Sequence, residues 1–349
     1  LDFIISLMPA EAVGSVSGSI NGRIVLFAAV VTAATALLFG LFPALHSTKP
    51  SLVNALKGQQ GQPSGARSAA WFRSGLVTTQ VALSMLLLAG AGLFVKSLFN
   101  VSRVELGVKT DHIAMFGVSP QLNGYTAARS LELFERIEDE LGAVPGVTSV
   151  TASMVPLLGG SSWGNSLLVE GFPSGPDTDT NARFNKIGPG YFRTLGVPLI
   201  VGREFTREDA ANGALVTVVN EQFTRKFNLG RNALGKHIQQ GGRDSPQIEI
   251  VGVVADAKYS DVKDAPPPQF FTPYRQGETI GFLIFYVKTS LPPEQILPTI
   301  GKVVARLDPS LPVERLRTLE DQVRESVFVD RLLMVLSVSF AALATLLAA

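Results

Sequence analysis

The 22 residues from Ser74 to Val95 read SGLVTTQVALSMLLLAGAGLFV, and none of them is charged. A helix needs roughly 20 apolar residues to cross about 30 Å of hydrocarbon, so this stretch is long enough to span a bilayer. Two further runs share its character. Ile24 to Thr48 is 25 residues without a charge, opening IVLFAAVVTAATALLFGLFPAL, and Leu332 to Ala349 is uncharged for 18 residues. Runs of this length are not hidden together in a water-soluble core. A cleaved signal peptide does not account for them either, because residues 1–22 carry Asp2 and Glu11 and lack a basic start. The chain reads as a membrane protein with helical spans over 24–46, 75–98 and 331–349. The third run stops inside a span and the sequence begins at Leu1, so it is read as a fragment of a larger polypeptide.

Composition narrows the function. At 349 residues the chain has room for two or three domains, and only 17% of it is charged against about 25% in typical soluble proteins. Mean hydropathy is +0.28. The 30 Lys and Arg against 29 Asp and Glu leave +1, which excludes a generally basic nucleic-acid binder. There is no cysteine, so disulfides, thiolate catalysis and Cys-ligated zinc are excluded. His46, His112 and His237 are the only histidines and lie far apart in sequence, a poor basis for a multi-histidine metal site.

The loops set the orientation. From Pro43 to Ser74 the chain carries Lys49, Lys57, Arg67 and Arg73 with no acidic residue. Short loops rich in Lys and Arg stay in the cytoplasm, so 47–74 is a cytoplasmic basic linker, within which Gly58 to Ser68 reads as flexible. The first span then runs inward, the second outward and the third inward. Residues 100–330 fall outside the cytoplasm, with 23 Lys and Arg against 27 Asp and Glu, a net of −4. The central parts of the spans hold no ionisable residue, which argues against an ion-coupled transporter or channel. Ala28, Thr32, Ala36, Gly40 and Ala44 repeat every fourth position, a spacing that lets another helix approach closely.

The outer block alternates strand and helix signals. His112 to Ser119 reads as a strand. A helix follows with Leu131, Phe134, Ile137 and Leu141 on one face, and Pro145-Gly146 turns into a second strand, VTSVTAS. Much later, Gly281 to Thr289 reads as a strand. Pro292-Pro293 opens a helix through Ile296, Ile300 and Leu307, whose start Pro298 is expected to delay, and PVERLRT supplies another strand. The fold class expected is therefore α-helical transmembrane spans plus an α+β extracytoplasmic domain. That domain follows a split ferredoxin-like βαβ…βαβ order with an inserted mostly-β subdomain over about 155–280. The insertion's clearest strands are Ala214–Asn220 and Gln247–Asp256, with EQFTRKF as a short helix. The last helix, about Leu319 to Val329, is expected to continue straight into the third span and carry motion between the outer domain and the membrane.

Chemistry-bearing motifs fail on inspection. Gly230 to His237 nearly matches a phosphate-binding GxxxxGK[ST] loop, but His237 stands where the magnesium-binding hydroxyl belongs and a strand follows. A turn between strands is the better reading. Gly160-Ser161-Ser162-Trp163-Gly164 fits the GxSxG elbow, yet the next segment, NSLLVEG, is strand-like where that motif needs a helix. Asn100-Val101-Ser102 fits a glycosylation sequon at the mouth of a span, a poor acceptor position. The acidic pairs Asp139-Glu140 and Glu320-Asp321 read as solvated helix faces. The residues give no catalytic, cofactor-binding or metal-binding site.

The string GPGYFRTLGVPLIVGREFTREDAANGALVTVVNEQFTRKF (Gly188 to Phe227), followed by ALGKHI and IEIVGVVADAK, resembles the periplasmic core domain of MacB-like ABC transporter permeases. FGLFPAL (Phe39 to Leu45), VNALKG (Val53 to Gly58) and TTQVALSMLLLAGAGLFVKSL (Thr78 to Leu98) resemble the junction in tandem-duplicated members, where one FtsX-like module ends and a second half begins. The resemblance implies the following map. Residues 1–23 are an extracytoplasmic loop and the end of a preceding span, and 24–46 the last span of the first module. Residues 75–98 are the first span of the second half, 99–330 its periplasmic core domain, and 331–349 the next span. It also implies a multi-pass protein of the bacterial cytoplasmic membrane that transmits ATP-driven motion outward in export or mechanotransmission. No cofactor is bound directly. ATP acts through a partner ABC ATPase subunit, and a periplasmic adaptor and outer-membrane channel are further partners of such systems. A membrane-anchored ligand sensor or scaffold without an ATPase is the alternative reading. Duplication in one chain implies a pseudo-symmetric unit instead of a homodimer, by analogy alone.

Overall fold

Alternation along one strand shows how the outer domain is built. In β1 (Ile113–Val118), Ile113 and Met115 belong to one apolar cluster, while Ala114, Phe116 and Val118 belong to another. Successive side chains of a strand point to opposite faces, so a strand buried throughout needs a core on each side. The computed structural model describes residues 22–37, 64–102, 104–210, 213–230, 232–242, 244–277 and 280–348. They divide into a helical unit drawn from Leu1–Phe99 and Asp330–Ala349, and a second unit, Asn100–Val329.

Among the described residues the first unit holds α1 (Gly22–Ala36), α2 (Ser64–Ser102, its last residues entering the second unit) and α8 (Phe328–Ala348, beginning just inside it). Val77–Ser97 within α2 is long and apolar enough to cross a membrane. Its side chains are largely bare, Leu86 and Leu93 each 70% exposed. Where α2 and α8 meet, small residues bury: Ala91 and Ala341, with the Ser84 hydroxyl donating to the Ala344 carbonyl at 3.2 Å. In α1 the Thr32 hydroxyl folds back onto the Ala28 carbonyl at 2.8 Å, satisfying itself within the helix. Gly40 and Ala44 of the expected small-residue stripe lie outside the described residues. The flexible linker expected over Gly58–Ser68 needs correction at its end, since Ser64 to Ser68 already form the first turn of α2.

The second unit is mixed α/β. After β1 come α3 (Ala127–Gly142) and β2 (Val147–Ser153), and near its end β10 (Leu283–Thr289), α6 (Pro293–Leu307) and β11 (Glu314–Thr318). These four strands pair in the order β11-β1-β10-β2, each neighbour antiparallel. Thr126 caps α3, receiving the Arg129 N–H at 3.3 Å, and Leu133, Phe134, Ile137 and Leu141 bury one face at helical spacing. Phe134 and Phe285 meet at 6.0 Å between ring centroids, and Phe285 stacks on Phe116 at 5.1 Å. Burying one such ring contributes about 2–3 kcal/mol.

Between β2 and β10 lie β3 (Gly164–Val169), β4 (Asn181–Ile187), α4 (Tyr191–Leu195), β5 (Leu199–Gly202), β6 (Val216–Asn220), α5 (Glu221–Lys226), β7 (His237–Gln240), β8 (Ile248–Val254) and β9 (Gln269–Pro273). Pairing runs β4-β3-β7-β8-β6-β9, and β9 then returns to β4 in parallel, so six strands close into a ring with β5 added on β8. Closure removes the free edges that an open sheet would expose. Phe184, Ile238, Ile250 and Phe270 from the ring join the first cluster, while Val216, Val218 and Phe271 join the second. One ladder pair, Ser153 with Ile187, connects the ring to the four-stranded half.

Two further expectations need correction. Pro298 does not delay α6, which starts at Pro293 and runs through it. Proline there forfeits only the bond to the Glu294 carbonyl, on a solvent-facing turn, while buried Ile296 and Ile300 hold the helix down. The last helix does not run straight into the apolar segment. A short α7 (Leu319–Ser326) ends with Val327 as its cap, and α8 begins at Phe328.

Candidate functional site

The chain enters and leaves the outer domain through two segments that meet at one joint. The entering segment alternates. Val104, Leu106 and Val108 pack on the second apolar cluster, and Glu105 faces solvent. Its backbone is stitched down: the Lys258 N–H donates to the Leu106 carbonyl at 2.9 Å and the Lys109 N–H to the Leu195 carbonyl at 2.7 Å. Gly107 sits at φ +71°, and a Cβ there would lie 2.5 Å from the Asp256 carbonyl oxygen. Only glycine meets both demands.

The leaving segment packs on the same cluster. Thr318 caps α7, accepting the Asp321 N–H at 3.0 Å, and Leu319, Val323 and Val327 reach the apolar side chains that also hold Val104, Leu106 and Val108. Gln322, 4% exposed, donates its carboxamide to the Leu158 carbonyl at 3.1 Å. Arg317 and Glu325 pair across the strand–helix corner.

A loop at Val155–Gly160 locks these pieces together. The Asn185 side chain both accepts from Val155 N–H and donates to its carbonyl, each at 2.9 Å. The Tyr286 hydroxyl receives the Leu157 N–H at 2.9 Å and lies 3.2 Å from the Ser153 hydroxyl. Leu158 and Gly160 donate to the carbonyls of Tyr259 and Ser260 at 2.9 and 3.0 Å, and the Tyr259 hydroxyl donates to the Phe184 carbonyl at 2.7 Å. Burial pushes the phenols of Tyr286 and Tyr259 above their ordinary values, so both stay neutral donors. Under the entering segment is a cavity of about 20 Å³, room for about one water, lined by Val108, Tyr191, Phe192, Leu195 and Phe271 with Lys258 and Gln269. The joint thus fastens both connecting segments and the 155–160 loop to one apolar cluster.

The motifs weighed in the sequence fall elsewhere. Gly230 to His237 connects α5 to β7, a helix-to-strand loop instead of a turn between strands. Lys236 binds Glu170 at 2.7 Å and the His237 ring lies 3.2 Å from the same carboxylate. Chiefly the Lys236 hydrogen bond, then those of His237, hold the Glu170 carboxyl down to about 2. Gly164 opens β3 directly, and no helix follows the GxSxG string. Asp139 and Glu140 pair with Arg207 at 2.5 Å and Arg306 at 2.8 Å, and Glu320 and Asp321 with Arg324, all around half exposed. The side chain of Asn100 lies outside the described residues, as does His46. No group of three or more His, Cys, Asp or Glu capable of holding a metal occurs among the described residues. Sequence reading missed the buried pair Glu138 and Arg275; the signal available was an acidic residue one position after Ile137, on the apolar face of α3.

Among solved structures, the chain resembles the periplasmic region of MacB from Actinobacillus actinomycetemcomitans, at 19% identity over 62% of this chain and 92% of that one, TM-score 0.41. It also resembles the extracellular domain of the noncanonic ABC-type transporter YknZ from Gram-positive bacteria, at 20% identity over 56% and 91%, TM-score 0.36. A permease-protein domain from Porphyromonas gingivalis matches at 19% identity over 62% and 97%, TM-score 0.37. No curated protein matches the sequence. Residues 74–317 match the model of the MacB-like periplasmic core domain, and the chain belongs to that family.

Proposed function

We propose that this chain is a permease subunit of an ABC-type transporter that transmits ATP-driven conformational change across the membrane to its outer domain, in export or mechanotransmission. Its family gives a membrane-anchored protein with an extracytoplasmic domain, a permease-type role and no catalysis of its own. The observation that carries the finer reading is the joint: the entering residues 104–109 and the leaving residues 319–327 pack on one apolar cluster. A displacement of either segment is then felt by the whole domain, because a close-packed core does not deform locally. Order β11-β1-β10-β2 with two βαβ passes supports reading the four-stranded half as a split ferredoxin-like unit carrying the ring as its insertion.

In this reading the spans cover 24–46, 75–98 and 331–349 in a multi-pass bacterial membrane protein, and 47–74 is cytoplasmic. ATP is hydrolysed by a separate subunit, with an adaptor and outer-membrane channel as further partners. Co-purification of the full-length protein with candidate ABC ATPases in lipid tests it. Stable association, with hydrolysis altered by removing 99–330, is the expected result. Failure to associate with any ATPase would favour an anchored sensor or scaffold.

A further inference from the structure

We propose that the loop Gly160–Trp163 anchors the outer domain to the membrane surface: the Trp163 ring enters the headgroup layer of the outer leaflet, and Arg183 meets a lipid phosphate there. The loop belongs to the GxSxG string that no helix follows. Residues 160–166 are all exposed, and among them Trp163 leaves 51% of its surface bare. Its backbone is fixed on both sides. The Trp163 N–H donates to the Tyr259 hydroxyl at 3.1 Å, and the Trp163 carbonyl accepts from the Phe184 N–H at 3.0 Å. The bare ring is therefore carried on a pinned main chain.

The loop lies at the end of the domain where the chain enters and leaves. Gln322 of the leaving α7 donates to the Leu158 carbonyl, and the Lys258 N–H to the Leu106 carbonyl of the entering segment. The next residue, Tyr259, holds Leu158 through its carbonyl and Trp163 through its hydroxyl. Along the chain the apolar stretch Val77–Ser97 is near: α2 runs on to Ser102, and Val104 already packs in the joint. At about 1.5 Å per helical residue and about 3.5 Å per extended one, Val104 is at most about 15 Å from Ser97. The headgroup layer on one side of a bilayer is itself about 5–8 Å deep.

Tryptophan suits such a place. Its ring sheds water at the acyl boundary while the indole N–H finds acceptors among the headgroups, and the residue collects at membrane interfaces for that reason. A lone exposed apolar side chain needs no explanation, so the neighbouring charge matters. Arg183 of β4 stands opposite Gly164 in the ladder, with Nη1 3.6 Å from the point a Cβ on Gly164 would occupy. It is exposed and makes no ion pair among the described residues, whereas Arg203, Arg207, Arg225 and Arg306 each hold a carboxylate. A guanidinium matches a phosphate with two parallel N–H bonds. A bare indole followed by an unpaired guanidinium fits a phospholipid, which offers an apolar boundary and a phosphate above it.

The anchor requires that Val77–Ser97 span a membrane, and it requires no ATPase. Trp71 and Trp163 are the two tryptophans, so Trp71→Phe leaves Trp163 as the sole emitter. The full chain carrying Trp71→Phe is placed in phosphatidylcholine nanodiscs, with and without lipid brominated at the headgroup end of its acyl chains. A loss of Trp163 emission in brominated lipid is expected, and a smaller loss when Arg183→Gln is added. Undiminished emission in brominated lipid overturns the anchor, and an equal loss in Arg183→Gln overturns the phosphate contact. Leu86→Trp, in a chain with both native tryptophans changed to Phe, is the reference for the span. If it is quenched by lipid brominated at the chain ends and Trp163 is not quenched, the anchor alone fails; if neither is quenched, the span fails with it. Should Trp71→Phe not fold, the difference in quenching between wild type and Trp163→Phe reads Trp163 instead, and no difference refutes the proposal.

Discussion

The Gln322 carboxamide donates to the Leu158 carbonyl at 3.1 Å from a site 4% exposed, joining the helix that leaves the outer domain to a loop that Tyr286 anchors in the sheet. Gln322→Leu keeps the volume and deletes the donor, leaving the Leu158 carbonyl buried and unpaired. The expected cost is about 1–3 kcal/mol, read as a lower unfolding midpoint. An unchanged midpoint would remove Gln322 from the joint.

Gly107→Ala meets two obstacles at once, a φ of +71° and a Cβ 2.5 Å from the Asp256 carbonyl oxygen. The variant should lose more than about 1 kcal/mol and expose residues 104–109 to faster hydrogen exchange. Gly230→Ala is the control, since a Cβ there meets nothing within 4 Å and only the backbone angle is strained.

Phe285 lies between Phe116 and Phe134 with no exposed surface. Phe285→Ala should cost about 3–5 kcal/mol in chemical denaturation. Pro298→Ala should act in the opposite direction, restoring a helix hydrogen bond in α6 and gaining up to about 3 kcal/mol.

Asp308 is held down to about 2, first by the hydrogen bond from Tyr125 and then by Ser310. Its folded value is below the ordinary 3.8, so it contributes stability above that value which is lost as pH falls toward 2. Carboxyl NMR should find the Asp308 midpoint near 2 in wild type and shifted upward in Tyr125→Phe. No shift would contradict the Tyr125 contact.

Much of this fold was legible because local pattern and burial agree. The alternation of Ile113 to Val118, the helical spacing of Phe134, Ile137 and Leu141, and the bounding prolines of α6 all mark elements that form as read. Ring closure was not legible. Pairing of Arg183–Ile187 with Gln269–Pro273 joins strands some 86 residues apart in sequence, and no turn chemistry signals a parallel contact. The break at Val327 was hidden too, since neither glycine nor proline marks it. The joint was invisible because its parts, residues 104–109, 155–160, 256–260 and 319–327, are assembled only by folding. The buried ion pair shares that cause: Glu138 is one acid among several on α3 until Arg275 arrives from the ring.

The proposed coupling through residues 104–109 and 319–327 is tested most directly by ATP hydrolysis in nanodiscs holding the full-length protein with a candidate ABC ATPase. Wild type is compared with Gln322→Leu and with a flexible glycine spacer placed after Val327. The account predicts intact association in all three, with the dependence of hydrolysis on the outer domain weakened by Gln322→Leu and abolished by the spacer. A spacer variant whose hydrolysis responds to the outer domain as wild type does would contradict it.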